Sequence, residues 1–261
     1  EYRRQRQMCI RDSGQVAYAR LLQELKNNTP QCDVYSSTDI AQYVSLKARG
    51  QLANYEPRSA GQLAPRFAGL GDPGWFYPTT ATLQVLAAHA TNVKPEDRPT
   101  RFFDLADPRW KGRVALGHPA FSAYFAQWVL TMRNLYGWGW FEKLAANRPR
   151  IGRSGNDPIA VITAGEALVG TVPTSTATQM MRKGNPVTFI YPDDGAVLTV
   201  GPAAVMAAAP HPNAGRLFLE WLLSADFAAA CAEWNIEPAR ADAPPLAGTK
   251  PLDQVKLQTL P

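Results

Sequence analysis

The sequence has few of the residues on which metal sites, disulfide frameworks and membrane spans depend. Its 261 residues include three cysteines and three histidines, which lie too far apart for a Cys-x-x-Cys or His-x-x-x-His zinc pair. No run approaches the roughly 18 apolar residues of a membrane-spanning helix. A G-x-S-x-G elbow for a nucleophilic serine is also missing. A resident metal or other cofactor, a bilayer span and serine-type acyl transfer are therefore not expected.

The residues that are present describe a globular chain. Hydrophobic residues make up 46%, and 27 Lys and Arg against 22 Asp and Glu leave a formal charge of +5. The 22 prolines and 19 glycines are spread between short periodic segments, which is typical of a chain with many helices and strands. This length accommodates one large domain or two modest ones.

The first thirteen residues, EYRRQRQMCIRDS, do not match the rest of the chain. They are basic and non-periodic, and their tail, Met8–Ser13, resembles the translated end of a sequencing-library adapter. Residues 1–13 are therefore interpreted as a non-native leader, with a genuine flexible arm as the alternative. Without them the charge falls to about +3. Because no aromatic residues are interleaved with their arginines in the manner of a nucleic-acid site, nucleic-acid binding is not expected.

From Gly14 onward, segments of helical periodicity alternate with short apolar runs. Four junctions pass from a strand through a turn of small polar residues into a helix, at 32–40, 113–123, 150–159 and 167–177. Alternating strands and helices indicate βαβ units with mostly parallel sheets. Because a single sheet of so many strands would be unusually wide, two α/β lobes are predicted. Segments 75–90 and 197–207 are predicted to be the extended strands that join them.

The polar turns at these four junctions are the candidate binding elements. The first N–H groups of a helix lack intrahelical partners, so a small polar side chain there either caps the helix or leaves room for an anion. Capping explains single junctions: Thr176 and Gln179 match a capping box for a helix from Ala177, and Asp157 before Pro158 matches an N-cap. The carboxyl ends of parallel strands meet at one edge of a sheet, so such turns gather there. The four turns therefore predict a cleft that binds a carboxylate, phosphate or phosphonate. If the two lobes face each other, the turns of both lobes line one shared cleft.

Two other motifs have structural explanations. Gly69, Gly71 and Gly74 spell G-x-G-x-x-G, but no strand precedes them and no helix follows, so a turn is expected rather than a dinucleotide site. Asp193 and Asp194 lie in a Pro-Asp-Asp-Gly sequence, where adjacent acids are more often turn formers than an acid-base pair.

The stretch 104–114, DLADPRWKGRV, resembles the DL-x-DP-x-W-K-G-K/R-V signature of periplasmic solute-binding proteins of ABC importers, the group that contains ferric-iron and phosphonate binders. Segments 33–50, 165–176 and 191–223 are also similar to this family. The resemblance implies a type II, two-lobed α/β fold, periplasmic-binding-protein-like, in which each lobe is a mostly parallel sheet flanked by helices and crossing strands join the lobes. It also implies a periplasmic monomer without catalysis that delivers its ligand to an inner-membrane permease.

The resemblance sets the predicted domain order. Lobe 1 comprises residues 14–80, the hinge-crossing segment 81–110 and lobe 2 111–196. The chain then returns to lobe 1 over 197–225 and ends in a C-terminal helix and a loosely attached tail over 226–261. Family members begin with a strand ahead of the helix near Gly14, so the first strand of lobe 1 is expected to be missing and the chain to lack its true N-terminus and signal peptide.

A departure from the family pattern bears on the ligand. Ferric binders of this group carry adjacent tyrosines after the strand equivalent to 167–172, because phenolate oxygens suit ferric ion. This chain has Thr174-Ser175-Thr176-Ala177 there. A small organic anion is therefore preferred, with ferric iron or an iron chelate as the alternative. The candidate contacts are Ser36, Ser37, Thr38, Trp75 and Tyr77 from lobe 1 and Ser122, Asn156, Ser175, Thr176 and Asp193 from lobe 2.

Some alternatives stay open from the sequence. The same fold serves ligand-sensing domains of signalling systems, and an enzyme on it would need an acid, base or covalent cofactor in the cleft. Trp75 and Tyr77 have core packing as an alternative role. Cys32 and Cys231 are expected to be buried free thiols rather than a disulfide.

Overall fold

The computed structural model describes residues 14–243 and 246–258. The interpretation of residues 1–13 as a non-native leader falls outside this range. The described chain divides into two compact units, unit 1 with residues 14–81 and 200–243 and unit 2 with residues 82–199 and 246–258. The finer lobe boundaries expected from the sequence remain predictions.

Eight α-helices and nine β-strands form within the described residues. The helices are α1 (Gly14–Lys26), α2 (Ile40–Ala48), α3 (Ala123–Tyr136), α4 (Trp138–Ala146), α5 (Asp157–Thr163), α6 (Thr174–Arg182), α7 (Pro212–Leu222) and α8 (Ala225–Trp234). The strands are β1 (Val34–Ser36), β2 (Tyr77–His89), β3 (Val114–Gly117), β4 (Arg150–Gly152), β5 (Val169–Pro173), β6 (Val187–Ile190), β7 (Ala196–Val205), β8 (Glu237–Pro238) and β9 (Leu257–Gln258). Short 3-10 turns occupy Ala60–Gln62, Pro65–Phe67, Pro95–Asp97, Phe102–Ala106, Pro108–Trp110 and Leu252–Gln254.

The sheet of unit 1 is covered by helices on both faces. β1 pairs antiparallel with the end of β7, and β8 pairs antiparallel with the start of β2. Side chains alternate along a strand. Tyr35 and Ala204 therefore pack in one core cluster with α1 and α2, whereas Ala203 and Val205 pack in another with α7 and α8.

The sheet of unit 2 combines both strand directions. β3 pairs parallel with β4 and with β5, and β2 pairs antiparallel with β5 and with β6. The start of β7 pairs parallel with β9. Phe125, Trp128 and Met132 of α3 are buried against Leu86 of β2 and Val114 of β3. This core fixes α3 against the sheet.

The two predicted α/β units are confirmed, but their sheets are mixed where mostly parallel sheets were expected. The segments predicted to be extended contain β2 and β7, and each of these strands continues from one unit into the other. βαβ crossovers make neighbouring strands parallel, whereas a strand that carries the chain out of a sheet runs in the opposite direction to them. The long strands therefore add antiparallel pairs to both units.

Most helix limits match the sequence, and α3 spans the predicted residues, but two helix starts differ. α6 begins at Thr174 instead of Ala177, with Pro173 as its N-cap, so the predicted capping box at Thr176 is wrong. Pro173 already has an extended φ of −66° and ψ of 139°, which lets the helix begin directly after it. α5 includes Asp157, and its N-cap is Asn156, so the predicted Asp157 N-cap is also wrong.

The C-terminal residues are attached rather than loose, as far as they are described. The Arg240 guanidinium donates to the Leu223 carbonyl over 2.7 Å, and Ala241 N–H donates to the Gln62 carbonyl over 2.8 Å. β9 joins the sheet of unit 2. Across residues 14–243 and 246–258, no helix has the length and apolar character that crossing a membrane requires.

Replacing Gly170 by alanine is expected to destabilise unit 2. A Cβ at this position of β5 would overlap the carbonyl oxygen of Ala115 in the paired strand β3. The free energy of unfolding should therefore fall by about 2–3 kcal/mol. Gly139→Ala in α4 is the matched control, because a Cβ there meets nothing within 4 Å and alanine is the better helix former. Urea denaturation measures both, and equal stabilities would contradict the close β3–β5 approach.

Candidate functional site

Three strand-to-helix turns of unit 2 lie at one edge of its sheet. β3 is parallel to both β4 and β5, so the carboxyl ends of these strands are neighbours. Each strand leads into a helix, α3 after β3, α5 after β4 and α6 after β5. Four of the side chains predicted as contacts, Ser122, Asn156, Ser175 and Thr176, belong to these turns or to the first turn of α6.

Hydrogen bonds join these side chains across the turns. The Thr176 hydroxyl donates to Asn156 Oδ1 over 2.8 Å, which links α6 to the turn after β4. The Thr82 hydroxyl, on β2, donates to Ser175 Oγ over 3.4 Å and lies 3.1 Å from Thr174 Oγ1. We call Thr82, Asn156, Thr174, Ser175 and Thr176 the polar cluster.

Ser122 lies close to the same turns, at the N-cap of α3. Its Oγ is 3.3 Å from the position that a Cβ on Gly155 would take, and Tyr124 Cδ2 is equally near. The missing side chain at Gly155 therefore allows the start of α3 to approach the residue next to Asn156. Ser122 is 7% exposed, and its hydroxyl does not cap α3.

At this edge, the starts of α3 and α6 have neither a side-chain cap nor an acidic residue in the first turn, whereas α5 has Asp157. The first backbone N–H groups of a helix have no partner within the helix, and in α3 and α6 no capping side chain supplies one. The helix dipole places roughly half an elementary charge at each N-terminus. Arg153, in the turn after β4, is exposed, and its guanidinium lies 5.1 Å from the centre of the Phe121 ring. In the part of the chain that the structure describes, none of the ion pairs involves Arg153.

The Asp157 carboxylate is held within the same turn. It accepts hydrogen bonds from the Ser154 hydroxyl and from the backbone N–H groups of Arg153 and Ser154, the latter two at 2.6 and 3.1 Å. The Ser154 hydroxyl and these N–H donors lower the pKa of Asp157 below its ordinary value. Asp157 is therefore ionised and holds the shape of the turn that carries Arg153.

In unit 1, the polar turn after β1 has its hydroxyls engaged. The Ser36 hydroxyl donates to the Pro202 carbonyl over 3.2 Å, and the Ser37 hydroxyl donates to Gln42 Oε1 over 2.8 Å. The Asp39 carboxylate accepts a backbone N–H of α2 over 3.1 Å and caps that helix. The N-terminus of α2 thus already has a negative partner, whereas α3 and α6 have none from a capping side chain.

The remaining predicted contacts of unit 1 differ in burial. Tyr77 is buried in the cluster with α7 and α8, and its hydroxyl oxygen accepts the Gly74 N–H over 2.6 Å. It therefore has the packing role that the sequence left open. Trp75 is half-buried, and the Lys47 ammonium lies 5.1 Å from its ring centre. Thr38 is half-buried in the turn after β1.

The acidic pair lies in a different turn, between β6 and β7. Asp193 is exposed, and its backbone N–H donates to the Thr100 carbonyl over 2.8 Å. The Asp194 carboxylate accepts the Tyr136 hydroxyl and the Phe103 N–H, the latter over 3.2 Å. Within the described residues, no hydrogen bond joins either carboxylate to the polar cluster. The pair forms a turn, and so does the glycine motif at 69–74.

Sequence reasoning missed four residues of this edge, Thr82, Tyr124, Arg153 and Thr174. Arg153 and Thr174 lie inside turns that the sequence had selected, so a survey of every polar residue in those turns would have found them. Thr82 had no such signal, because it is 92 residues from Thr174 along the chain and only strand pairing brings the two together.

Clusters of His, Cys, Asp and Glu side chains are the usual sign of a metal site. Nowhere in residues 14–243 and 246–258 do three or more His, Cys, Asp or Glu side chains gather as a metal site. Cys32 and Cys231 are free thiols, as expected, although Cys32 is only half-buried. Burial raises the pKa of each thiol to about 11. Both are therefore protonated near neutral pH.

Comparison with known proteins identifies the family. Residues 32–256 match the bacterial extracellular solute-binding protein family. The chain belongs to this family. Iron uptake protein A2 of Synechocystis is 28% identical over 208 residues, which cover 72% of this chain and 59% of that protein. The chain spans only 59% to 64% of the length of two curated relatives.

Solved structures of other binding proteins share the fold. The periplasmic binding protein AfuA of Actinobacillus pleuropneumoniae, with fructose 6-phosphate bound, has a TM-score of 0.84 at 20% identity, covering 95% of this chain and 81% of AfuA. Iron-bound HitA of Pseudomonas aeruginosa has a TM-score of 0.78 at 22% identity, covering 92% and 80%. The predicted two-lobed periplasmic-binding-protein fold is thereby confirmed. Identities this low establish the fold alone.

Asp194→Asn is expected to alter how stability depends on pH. Burial, opposed by the Tyr136 and backbone hydrogen bonds, raises the pKa of Asp194 above its ordinary value of about 4. The fold thus favours the protonated carboxyl, and this stabilisation is lost as the pH rises through the folded pKa. Melting temperatures should shift in favour of the variant as the pH rises from about 3 to about 7. The exposed Asp193→Asn is the control, and a parallel pH profile for wild type and D194N would contradict the assignment.

Proposed function

We propose that the protein is the substrate-binding component of an ABC importer and captures a small anionic solute. The observation that carries this proposal is a pair of helix N-termini in unit 2, those of α3 and α6, that have no side-chain cap. They lie beside the polar cluster and Arg153. Backbone N–H groups in this position bind anions by hydrogen bonding and through the helix dipole.

The donor chemistry favours an oxyanion over a bare metal ion. α6 offers the backbone N–H groups of its first turn together with the half-buried Ser175 hydroxyl. Arg153 adds a full positive charge, and a guanidinium binds a carboxylate or phosphate through two parallel hydrogen bonds. A phosphate ester, a phosphonate or a carboxylate would satisfy these donors.

Unit 1 offers groups of a different kind. Asp39 already occupies the positive end of α2, so a second anionic group would meet a carboxylate there. The Ser36 and Ser37 hydroxyls donate to other protein groups and keep acceptor capacity, and Trp75 has a partly exposed ring. These groups suit the hydroxyls or the uncharged body of a solute. The cleft shared by both lobes stays a prediction.

The relatives favour two ligand classes. Fructose 6-phosphate, bound in AfuA, combines a phosphate with hydroxyls, which is the combination that these donors suit. HitA is iron-bound and iron uptake protein A2 is named for iron, so ferric iron or a ferric chelate is the second candidate. Tyr124, next to Gly155, is a phenol that could serve it. It is the weaker candidate, because Thr174–Thr176 stand where the family resemblance implies tyrosines in ferric binders.

The proposal includes the cellular role that the family resemblance implies. The protein would act in the periplasm as a monomer without catalysis and would pass its solute to an inner-membrane permease. A sensing domain on the same fold would have its gene beside a kinase, whereas an importer component would have its gene beside a permease and an ATPase. An enzyme would convert the solute.

Calorimetric titration of the full chain tests the ligand class. The probes are fructose 6-phosphate, inorganic phosphate, methylphosphonate, citrate and ferric citrate. We expect saturable binding of at least one of the first four in iron-free buffer. Binding that appears only with ferric citrate would overturn the anion proposal in favour of iron. A new product in the mixture after incubation would overturn the absence of catalysis.

Arg153→Gln is expected to weaken binding of the best oxyanion in that panel by at least tenfold, because a charge-assisted hydrogen bond contributes about 1.5–3 kcal/mol. Lys183→Gln is the matched control, since it removes the same charge from an exposed position at the opposite end of α6. It should change affinity less than twofold. Equal losses in both variants would indicate a general charge effect and count against Arg153 as a contact.

A further inference from the structure

The Gln84 side chain of β2 is fully buried and has no hydrogen-bond partner within the described residues. It is 0% exposed, and neither its Nε2 nor its Oε1 atom forms a hydrogen bond. An amide in the protein interior without a partner costs free energy, because it has given up its hydrogen bonds to water. Gln84 lies in unit 2, two residues after Thr82, with which this unit begins.

Buried polar side chains on the two strands beside β2 do have partners. The Thr171 hydroxyl, on β5, donates to the Val85 carbonyl over 2.8 Å. The Thr199 hydroxyl, on β7, donates to Gln127 Oε1 of α3 over 2.7 Å. In the described part of unit 2, three other side chains have a single buried polar atom without a partner, namely Trp110, Trp128 and Asp194. Gln84 differs from them because both its donor and its acceptor are unpaired.

Gln84 lies next to the polar cluster along β2. Alternate residues of a strand project to the same face, so Gln84 shares its face of β2 with Thr82 on one side and Leu86 on the other. Residues two apart on a strand are separated by about 7 Å. Across the sheet, Gln84 is paired with Pro173, the residue before Thr174.

The surroundings of Gln84 are polar in one direction only. Leu86 is buried in the apolar core with Phe125 of α3. On the other side exposure increases step by step, from Gln84 at 0% to Thr82 at 7% and then to the half-buried Ser175. The Thr82 hydroxyl donates to Ser175 Oγ over 3.4 Å. Gln84 is therefore the inner end of a line of polar side chains that begins at the sheet edge.

The chemistry of the amide determines which group can pair with it. A glutamine amide has two N–H donors and one carbonyl acceptor. The oxygens of an ionised carboxylate or phosphate accept hydrogen bonds but have no hydrogen to donate to Oε1. A hydroxyl both donates and accepts. A hydroxyl of the solute would therefore satisfy Gln84, whereas an anionic oxygen would leave Oε1 unpaired.

We propose that Gln84 is a specificity-determining residue that selects solutes with a hydroxyl close to their anionic group. The anionic group binds at the starts of α3 and α6 and at Arg153. The Gln84 amide turns about its side-chain bonds toward Thr82 and pairs with the solute hydroxyl there. The ligand class is thus a hydroxylated phosphate ester or a hydroxy acid. This inference rests on the anion site proposed for unit 2.

Two phosphate esters test the selection in the wild-type chain. Glycerol 3-phosphate and propyl phosphate share a three-carbon chain and a phosphate, and they differ in their hydroxyls. Calorimetric titration of the full chain should show that glycerol 3-phosphate binds at least tenfold more tightly, because propyl phosphate leaves the amide buried without a partner. Equal affinities would overturn the role of Gln84.

Gln84→Met removes the amide and keeps the length of the side chain. In this variant the preference for glycerol 3-phosphate should fall below threefold, and the affinity for inorganic phosphate should change less than twofold. Leu86→Met is the matched control, because it places the same side chain on the same face of the same strand within the apolar core. It should keep the wild-type preference.

A wild-type preference in Q84M would overturn the proposed contact. An equal loss of affinity for all three phosphates in Q84M would also count against it, because such a loss indicates general damage to the site. The wild-type comparison of the two esters keeps the proposal falsifiable if Q84M fails to fold.

Thermal unfolding without any solute gives a second readout. Gln84→Met should raise the melting temperature by about 2–4 °C, because it removes an unpaired amide from the interior. Leu86→Met should not raise it. An unchanged or lower melting temperature of Q84M would overturn the proposal, since the amide would then have a partner in the free protein.

Inorganic phosphate separates the failure of this inference from the failure of the anion site. If the wild-type chain binds inorganic phosphate but does not distinguish the two esters, only the role of Gln84 is overturned. If it binds none of the three phosphates, the anion site fails as a phosphate site and the role of Gln84 fails with it.

Discussion

The candidate site depends on backbone N–H groups that no capping side chain satisfies. At the starts of α3 and α6 these donors face the polar turns of unit 2 without a carboxylate or hydroxyl cap. Such N–H groups bond to water when no side chain caps them, and an anion that replaces the water gains their hydrogen bonds and the interaction with the helix dipole. Asp39 in unit 1 shows the alternative, because its carboxylate closes the start of α2. On this contrast rests the proposal that unit 2 takes the charged part of a solute.

The arrangement of strands is what brings the donors together. β3, β4 and β5 are parallel and end at one edge, and the antiparallel β2 brings Thr82 to the first turn of α6. Gly155 lets α3 approach the turn that carries Asn156. Asp157 holds that turn through backbone N–H groups. The polar cluster is therefore brought together by main-chain geometry, and its side chains are small.

Family membership and site chemistry answer different questions here. The family establishes a solute-binding fold, and relatives with this fold are associated with both iron and a sugar phosphate. The fold therefore does not determine the ligand. The proposal of an anionic ligand rests on the hydrogen-bond donors and the positive charge at one sheet edge of unit 2.

Much of the fold was predictable from the sequence, because hydrophobic periodicity and turn residues are local. α3 was predicted at its observed limits, and the segments around β2 and β7 were predicted to be extended. The solute-binding family was recognisable from residues 104–114. In contrast, the starts of α5 and α6 were not predicted correctly. The Asp157 carboxylate accepts N–H groups of the turn that precedes α5, and the Thr174 hydroxyl accepts an N–H of β2.

The sequence by itself determined the succession of strands, polar turns and helices, and with it the residue types available for binding. Tertiary structure decided which of them meet. Strand direction brought Thr82 to Thr174 and left Asp193 in another turn, and packing turned Tyr77 into a core residue. The physical reason is that capping and periodicity act within a few residues, whereas strand pairing and burial join positions that the chain separates by tens of residues.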